Sequence, residues 1–188
     1  MSTKQASKSR RAGGGQENPL SAGTVHVSAR VEYAICALLE LSRATTCERH
    51  VLVKGKELAS AQKIPLRFLE AILGQLRGAG LVTSKRGGAG GYALARSPSQ
   101  ITVADVVRAL DGPLTDVRGD RPEDAEYIGA ARNLKVVWVA TRAAVRSVLD
   151  RVTLQDIEGG ELPDHLSQWV QDPQAWRTHR KGPPSAVS

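Results

Sequence analysis

The feature that most constrains this chain is the segment Lys85-Arg86-Gly87-Gly88-Ala89-Gly90-Gly91. Glycines this dense are incompatible with a helix interior, where each costs about 1 kcal/mol relative to alanine. On either side lie LVTS (residues 81–84) and YAL (residues 92–94), two short runs with strand-forming residues. The segment therefore reads as a flexible β-hairpin turn, and Lys85 and Arg86 make it basic. Upstream, a short helix is expected over residues 56–62, with Leu58, Ala59 and Ala61 at helical spacing and Lys63 and Ile64 as a tight connection. Pro65 suits the first turn of a second helix, where its missing N–H costs nothing. Phe68, Leu69, Ile72, Leu73 and Leu76 then recur at steps of one, three and four, giving one buried face, while Arg67, Glu70, Gly74 and Arg77 fall off it. Gly78 and Gly80 stop that helix. Helix, turn, helix and basic hairpin describe a winged helix-turn-helix, and residues 53–96 organise the rest of the chain.

The remaining segments are read in order. Residues 1–24 are rich in Ser, Gly, Lys and Arg and too poor in apolar side chains to offset their ordering entropy, so a disordered basic tail is expected. Lys4, Lys8, Arg10 and Arg11 there are either non-specific phosphate contacts or simply solvated charges. Ser28 is placed to cap a helix whose stripe is Val31, Ala34, Ile35, Leu38, Leu39 and Leu41, running to about Ser42. Residues 45–51 form a polar turn holding Cys47 and His50, the latter read as a surface histidine because no partner motif surrounds it. Thr102 is expected to cap a helix carrying Val103, Val106, Val107 and Leu110, which Asp111-Gly112-Pro113 ends; the winged domain is thus drawn over residues 25–112.

Beyond it, residues 113–133 read mainly as an acidic exposed loop. A long helix is expected from roughly residue 126 to 151, with residues 134–158 assigned as the dimerisation helix. Leu134, Trp138, Thr141, Val145, Val148 and Val152 alternate steps of four and three along it, a heptad seam widened by Val137, Ala144 and Leu149. A single helix projecting from a small domain would leave that seam wet, which points to pairing with a second copy; packing on its own domain is the plainer alternative. Residues 159–188 form a weakly amphipathic extension through Leu162, Leu166, Trp169, Val170 and Trp176, with a disordered end.

Composition narrows the function. The 188 residues carry a formal charge of +7, which favours a polyanionic partner. No apolar run reaches membrane-spanning length and no signal segment is evident, so a cytoplasmic protein without a membrane partner is expected. Enzyme chemistry finds no support, since no Ser/His/Asp grouping, metal-ligand spacing or Walker loop stands out. GGAGG lacks the following GK[ST] and helix of a nucleotide cradle.

From about residue 27 to residue 157 the chain resembles the Rrf2 family of bacterial winged-helix regulators. EYAICALLELS, IPLRFLEAIL, LRGAGLVTSKRGGAGGYALAR and ITVADVVRALDGP carry the resemblance, with a tryptophan-bearing final helix ending in TLQDI. It implies a homodimeric transcriptional regulator on a partly palindromic DNA operator, with repression the working reading. The recognition helix would enter the major groove and the wing an adjacent minor groove. Pro65, Leu66, Arg67 and Glu70 then lie where base edges are met, Arg67 donating to guanine or phosphate and Glu70 accepting from cytosine. Arg86 suits a narrow minor groove, while Lys85 and the amides of Gly87, Gly88, Gly90 and Gly91 suit phosphates. The glycines serve equally as turn formers. A protein-interaction winged helix is the rival reading, which Arg67, Arg86 and the net charge oppose.

Many members of the family sense through an iron–sulfur cluster held by three cysteines in the loop before the dimerisation helix. Residues 113–133 hold no cysteine and no histidine, so no cofactor is expected. Glu32 and Cys36, one turn apart, match first-helix positions that supply ligands in some members, and are kept as weak metal candidates. Cys36 reads as a structural thiol, with an atypical cluster or a thiol switch as the alternative. A Cys36–Cys47 disulfide is disfavoured by a helical separation of about 16 Å, although oxidation between subunits stays open. The effector is not legible.

Overall fold

A computed structural model describes residues 27–47, 51–117 and 119–177. The assigned tail, His50 and the last eleven residues lie outside that set. The first helix, α1 (Ala29–Cys47), is the axis of the fold. Ser28 Oγ accepts the Val31 N–H at 3.3 Å, the expected cap. Val31, Ala34, Leu38 and Leu41 are buried at successive steps of three, four and three. The helix continues beyond the expected end at Ser42 through Cys47, so the first part of the assigned polar turn is helical.

α2 (Gly55–Gln62) ends at Lys63, whose φ of 54° is left-handed; its N–H bonds back to Ala59 and Ser60 carbonyls. That reversal turns Ile64 into the core and launches α3 (Leu66–Gly78) from Pro65. Leu69, Ile72, Leu73 and Leu76 are all buried, anchoring α3 on the core. Phe68 does not share that face: it is 38% exposed and meets Tyr33 edge-on, with ring centroids 5.9 Å apart. One position before Leu69, it falls at the rim of the apolar stripe. Gly80, at φ 69°, makes the turn that lets the Leu81 N–H reach the Leu76 carbonyl at 2.9 Å.

The wing is an antiparallel pair, β1 (Val82–Lys85) and β2 (Gly91–Leu94), with Val82 opposite Leu94 and Lys85 opposite Gly91. An unforeseen pairing extends it: Val53 exchanges both backbone bonds with Tyr92, at 2.9 and 2.8 Å. α4 (Val103–Leu110) starts with a capping box in which Thr102 Oγ1 accepts the Asp105 N–H at 3.1 Å and Asp105 returns to the Thr102 N–H at 3.2 Å.

The loop of residues 113–133 is less exposed than expected, because Pro122 and Ala125 are buried. α5 (Leu134–Leu149) begins well after residue 126, beyond Gly129 at φ 59°. It also ends early. The expected helix through residue 158 is broken at residues 150–153, and a separate α6 (Leu154–Gly159) follows. The cause is a second capping box: Thr153 is extended, its Oγ1 accepts the Asp156 N–H at 3.2 Å, and Asp156 accepts the Thr153 N–H at 2.8 Å. The break lets the Val152 carbonyl accept from Val103 at 2.9 Å and the Leu154 N–H donate to Ile101 at 3.0 Å. Val152, assigned to the dimer seam, is buried within this chain's own fold instead. α7 (Asp164–Gln171) follows, with Leu166 turned inward and Trp169 exposed.

Candidate nucleic-acid interface

α3 is held by its buried leucines so that Arg67, Glu70, Ala71 and Gly74 form the opposite, exposed face. No ion pair among the described residues holds Arg67 or Glu70. One turn apart, they present a donor fork and an acceptor on the same surface. Pro65 is exposed at the helix start. Leu66 is half-buried against the core, so it positions the helix rather than facing outward.

The wing brings Lys85, Arg86, Gly87 and Gly88 to its exposed tip. The glycines are not equivalent. Gly87 takes φ 105°, and a side chain on Gly90 or Gly91 would sit 2.2 Å from the Lys85 carbonyl or 2.7 Å from the Val53 carbonyl. The fold itself requires these three. The Gly90 amide is committed to the Gly87 carbonyl at 2.9 Å, which removes it as a phosphate donor. Gly88 has open space around it and no positive φ, so nothing inside the chain demands a glycine there. Sequence reasoning missed Lys54, Arg77 and Tyr92, which the Val53–Tyr92 pairing gathers beside the wing. Only the short apolar run Val51-Leu52-Val53 before Lys54 hints that a strand residue precedes the helix.

A second exposed surface lies along α5. Not one of its residues is buried; Val136 is 67% and Val137 53% exposed. Leu134, Trp138, Val145 and Val148 are half-buried and Thr141 is exposed, its hydroxyl donating to the Val137 carbonyl at 2.9 Å. The helix is tied to the body by side chains at its flank: Arg142 pairs with Glu123 of the preceding loop, and Asp150 with Arg108 of α4.

Cys36 is half-buried on α1 with Glu32 exposed one turn before it. Burial pushes its thiol pKa up, and the Glu32 and Glu40 carboxylates push it the same way. The thiolate, the form that ligates metal and reacts with oxidants, is disfavoured.

A pinned helix with a polar outer face beside a basic two-stranded wing defines a winged helix-turn-helix DNA-binding protein. Residues 27–159 match the family described as Rrf2, Iron-dependent Transcriptional regulator. The chain is 44% identical over 158 residues to Rv1287 of Mycobacterium tuberculosis, an HTH-type transcriptional regulator by name, covering 84% of this chain and 96% of that protein. The structure of CymR, the global cysteine regulator of Bacillus subtilis, superposes with a TM-score of 0.59 at 30% identity, over 73% of this chain and 98% of that one. That of IscR from T. potens does so with a TM-score of 0.56 at 29% identity, over 76% and 96%. The chain belongs to the Rrf2 family of DNA-binding transcriptional regulators, and it is a regulator rather than an enzyme.

The donor set does not fit the iron–sulfur cluster that the family resemblance implies. Cys36 and Glu32 share one face of α1, Cys47 lies a further three turns along that helix, and the loop of residues 113–133 offers neither thiol nor imidazole. No group of three or more metal-binding side chains comes together among the described residues.

Proposed function

We propose that this chain is a homodimeric, cluster-free repressor that reads a partly palindromic operator in the cytoplasm. α3 enters the major groove, with Arg67 and Glu70 at base edges, and Arg86 at the wing tip enters a neighbouring minor groove. The observation that carries this reading is the division of α3 into a fully buried leucine face and an unpaired Arg67–Glu70 face beside the basic wing tip. The second copy docks along α5, where Val136 and Val137 stand in water at the flank of the heptad seam. Pairing two such helices places two α3 helices side by side, which is what a symmetric operator requires. Release from DNA is controlled by a small molecule, a protein partner or the abundance of the regulator.

The test is base preference. Replacing Glu70 by Gln or Arg67 by Gln changes which base is favoured at one position of each half-site, with about 1–3 kcal/mol of discrimination lost there. A uniform loss across all sequences, with preference intact, contradicts a base-reading role for these two side chains.

A further inference from the structure

The chain gathers cations where no carboxylate neutralises them. Between the start of α2 and the wing lies an open cleft of about 280 Å3. Lys54, Arg77, Lys85 and Arg86 line it with Ser84 and Tyr92, and no carboxylate does. These residues come from three separate stretches of chain, and specific contacts hold them together. The Val53–Tyr92 pairing fixes Lys54 beside β2. The absence of a side chain at Gly91 allows that approach, since a Cβ there would meet the Val53 carbonyl at 2.7 Å. Arg77, in the last turn of α3, donates from Nη1 to Ser84 Oγ at 3.1 Å, tying the reading helix to β1.

Four like charges around one cleft repel each other, and no ion pair relieves any of them among the described residues. α2 adds the positive end of its dipole, because the cleft also includes Gly55, the first residue of that helix. The nearby Glu57 carboxylate is turned onto the Lys54 N–H at 3.3 Å and lines a different cleft. A shallow basic notch open to solvent suits one charged group of a long polymer better than an enclosed small molecule.

We infer that this cleft is a phosphodiester-binding notch, receiving one backbone phosphate of duplex DNA between the recognition helix and the wing. The inference rests on the DNA-binding reading and adds a site to it, set apart from Arg67 and Glu70 on the α3 face. The notch reads no base. It fixes the height and tilt of α3 in the groove, because Arg77 belongs to that helix and grips the phosphate at its far end.

The test uses the full-length protein and a 30-base-pair duplex of random sequence, with binding measured by fluorescence anisotropy between about 50 and 200 mM salt. The Lys54→Gln Arg77→Gln variant should lose about 0.9 from the slope of log K against log salt, the share of one phosphate. A neutral methylphosphonate placed at successive backbone positions of a duplex that the wild type binds should weaken wild-type binding at one position where the variant is indifferent. Lys54→Gln alone, which removes no hydrogen bond within the fold, should show the same positional insensitivity in part, guarding against misfolding of the double variant. Inorganic phosphate at millimolar concentration should leave wild-type binding no weaker than sulfate of equal ionic strength. A wild type that binds DNA while the variants keep its slope and its methylphosphonate profile overturns the notch. Specific competition by inorganic phosphate would make it a small-anion site instead. A wild type with no salt-dependent DNA binding overturns the DNA reading as well.

Discussion

Arg108 of α4 donates from Nη2 to Asp150 Oδ1 at 2.6 Å, across the junction where α5 ends. Asp150 also accepts from Arg146 Nε at 3.0 Å, one turn back along α5. The carboxylate thus lies between two guanidinium groups and fixes α5 to the DNA-reading body. Burial raises its pKa, but the hydrogen bonds from Arg146 and Arg108 outweigh that and hold it below the usual carboxylate range.

Asp150→Asn should therefore destabilise the fold at neutral pH. Both arginines are partly exposed, so the loss is on the order of 0.5–1 kcal/mol. A folded-state pKa below the unfolded one contributes stability that is present above the unfolded value and is lost as pH falls through the folded value. Urea unfolding at about pH 7 should separate wild type from variant, and the gap should close as pH falls below the ordinary aspartate range. A gap that persists in acid means that shape, not charge, is what Asp150 supplies.

The α5 seam gives a second expectation. Val145 and Val148 are half-buried in one chain, and covering a valine completely is worth about 1.5–3 kcal/mol relative to leaving it in water. Val145→Glu with Val148→Glu should convert dimer to monomer in sedimentation, with far-UV helicity retained. A dimer that survives places the interface elsewhere.

These surfaces were unequally legible in the sequence. The helix-turn-helix was readable because Leu69, Ile72, Leu73 and Leu76 are local neighbours on one stripe, and their spacing alone states which face is buried. The end of α5 was not, because Val152 continues the four-three steps and disguises the break. The signal that could have found it is Thr153 followed three residues later by Asp156, a capping box inside the supposed helix. Val53 pairing with Tyr92 leaves only the faint signature of a three-residue apolar run, since one bridging residue forms no periodic pattern and nothing local names its partner. The basic notch depends on that pairing and so stayed hidden with it.

At the wing tip, Arg86→Ala should weaken binding by about 1–3 kcal/mol, more on A·T-rich than on G·C-rich DNA. Gly88→Ala separates folding from binding. It meets open space, so stability should change by no more than about 0.5 kcal/mol, while DNA affinity falls if backbone approaches phosphate there. Unchanged affinity in both variants removes the wing tip from the interface.

Sensing by Cys36 is opposed by its raised pKa and partial burial. Wild type and Cys36→Ser should bind DNA alike, with and without mild peroxide. Loss of binding by the oxidised wild type alone would establish a thiol switch in place of a cluster-free, redox-indifferent regulator.

The central claim is that two copies of this chain read a symmetric DNA site, and selection of sequences from a random duplex pool by the full-length protein tests it most directly. The account predicts enrichment of a dyad-symmetric site whose half-sites are about one helical turn apart, bound by two protein chains. A pool that stays random, or a single unpaired half-site bound by one chain, would contradict it.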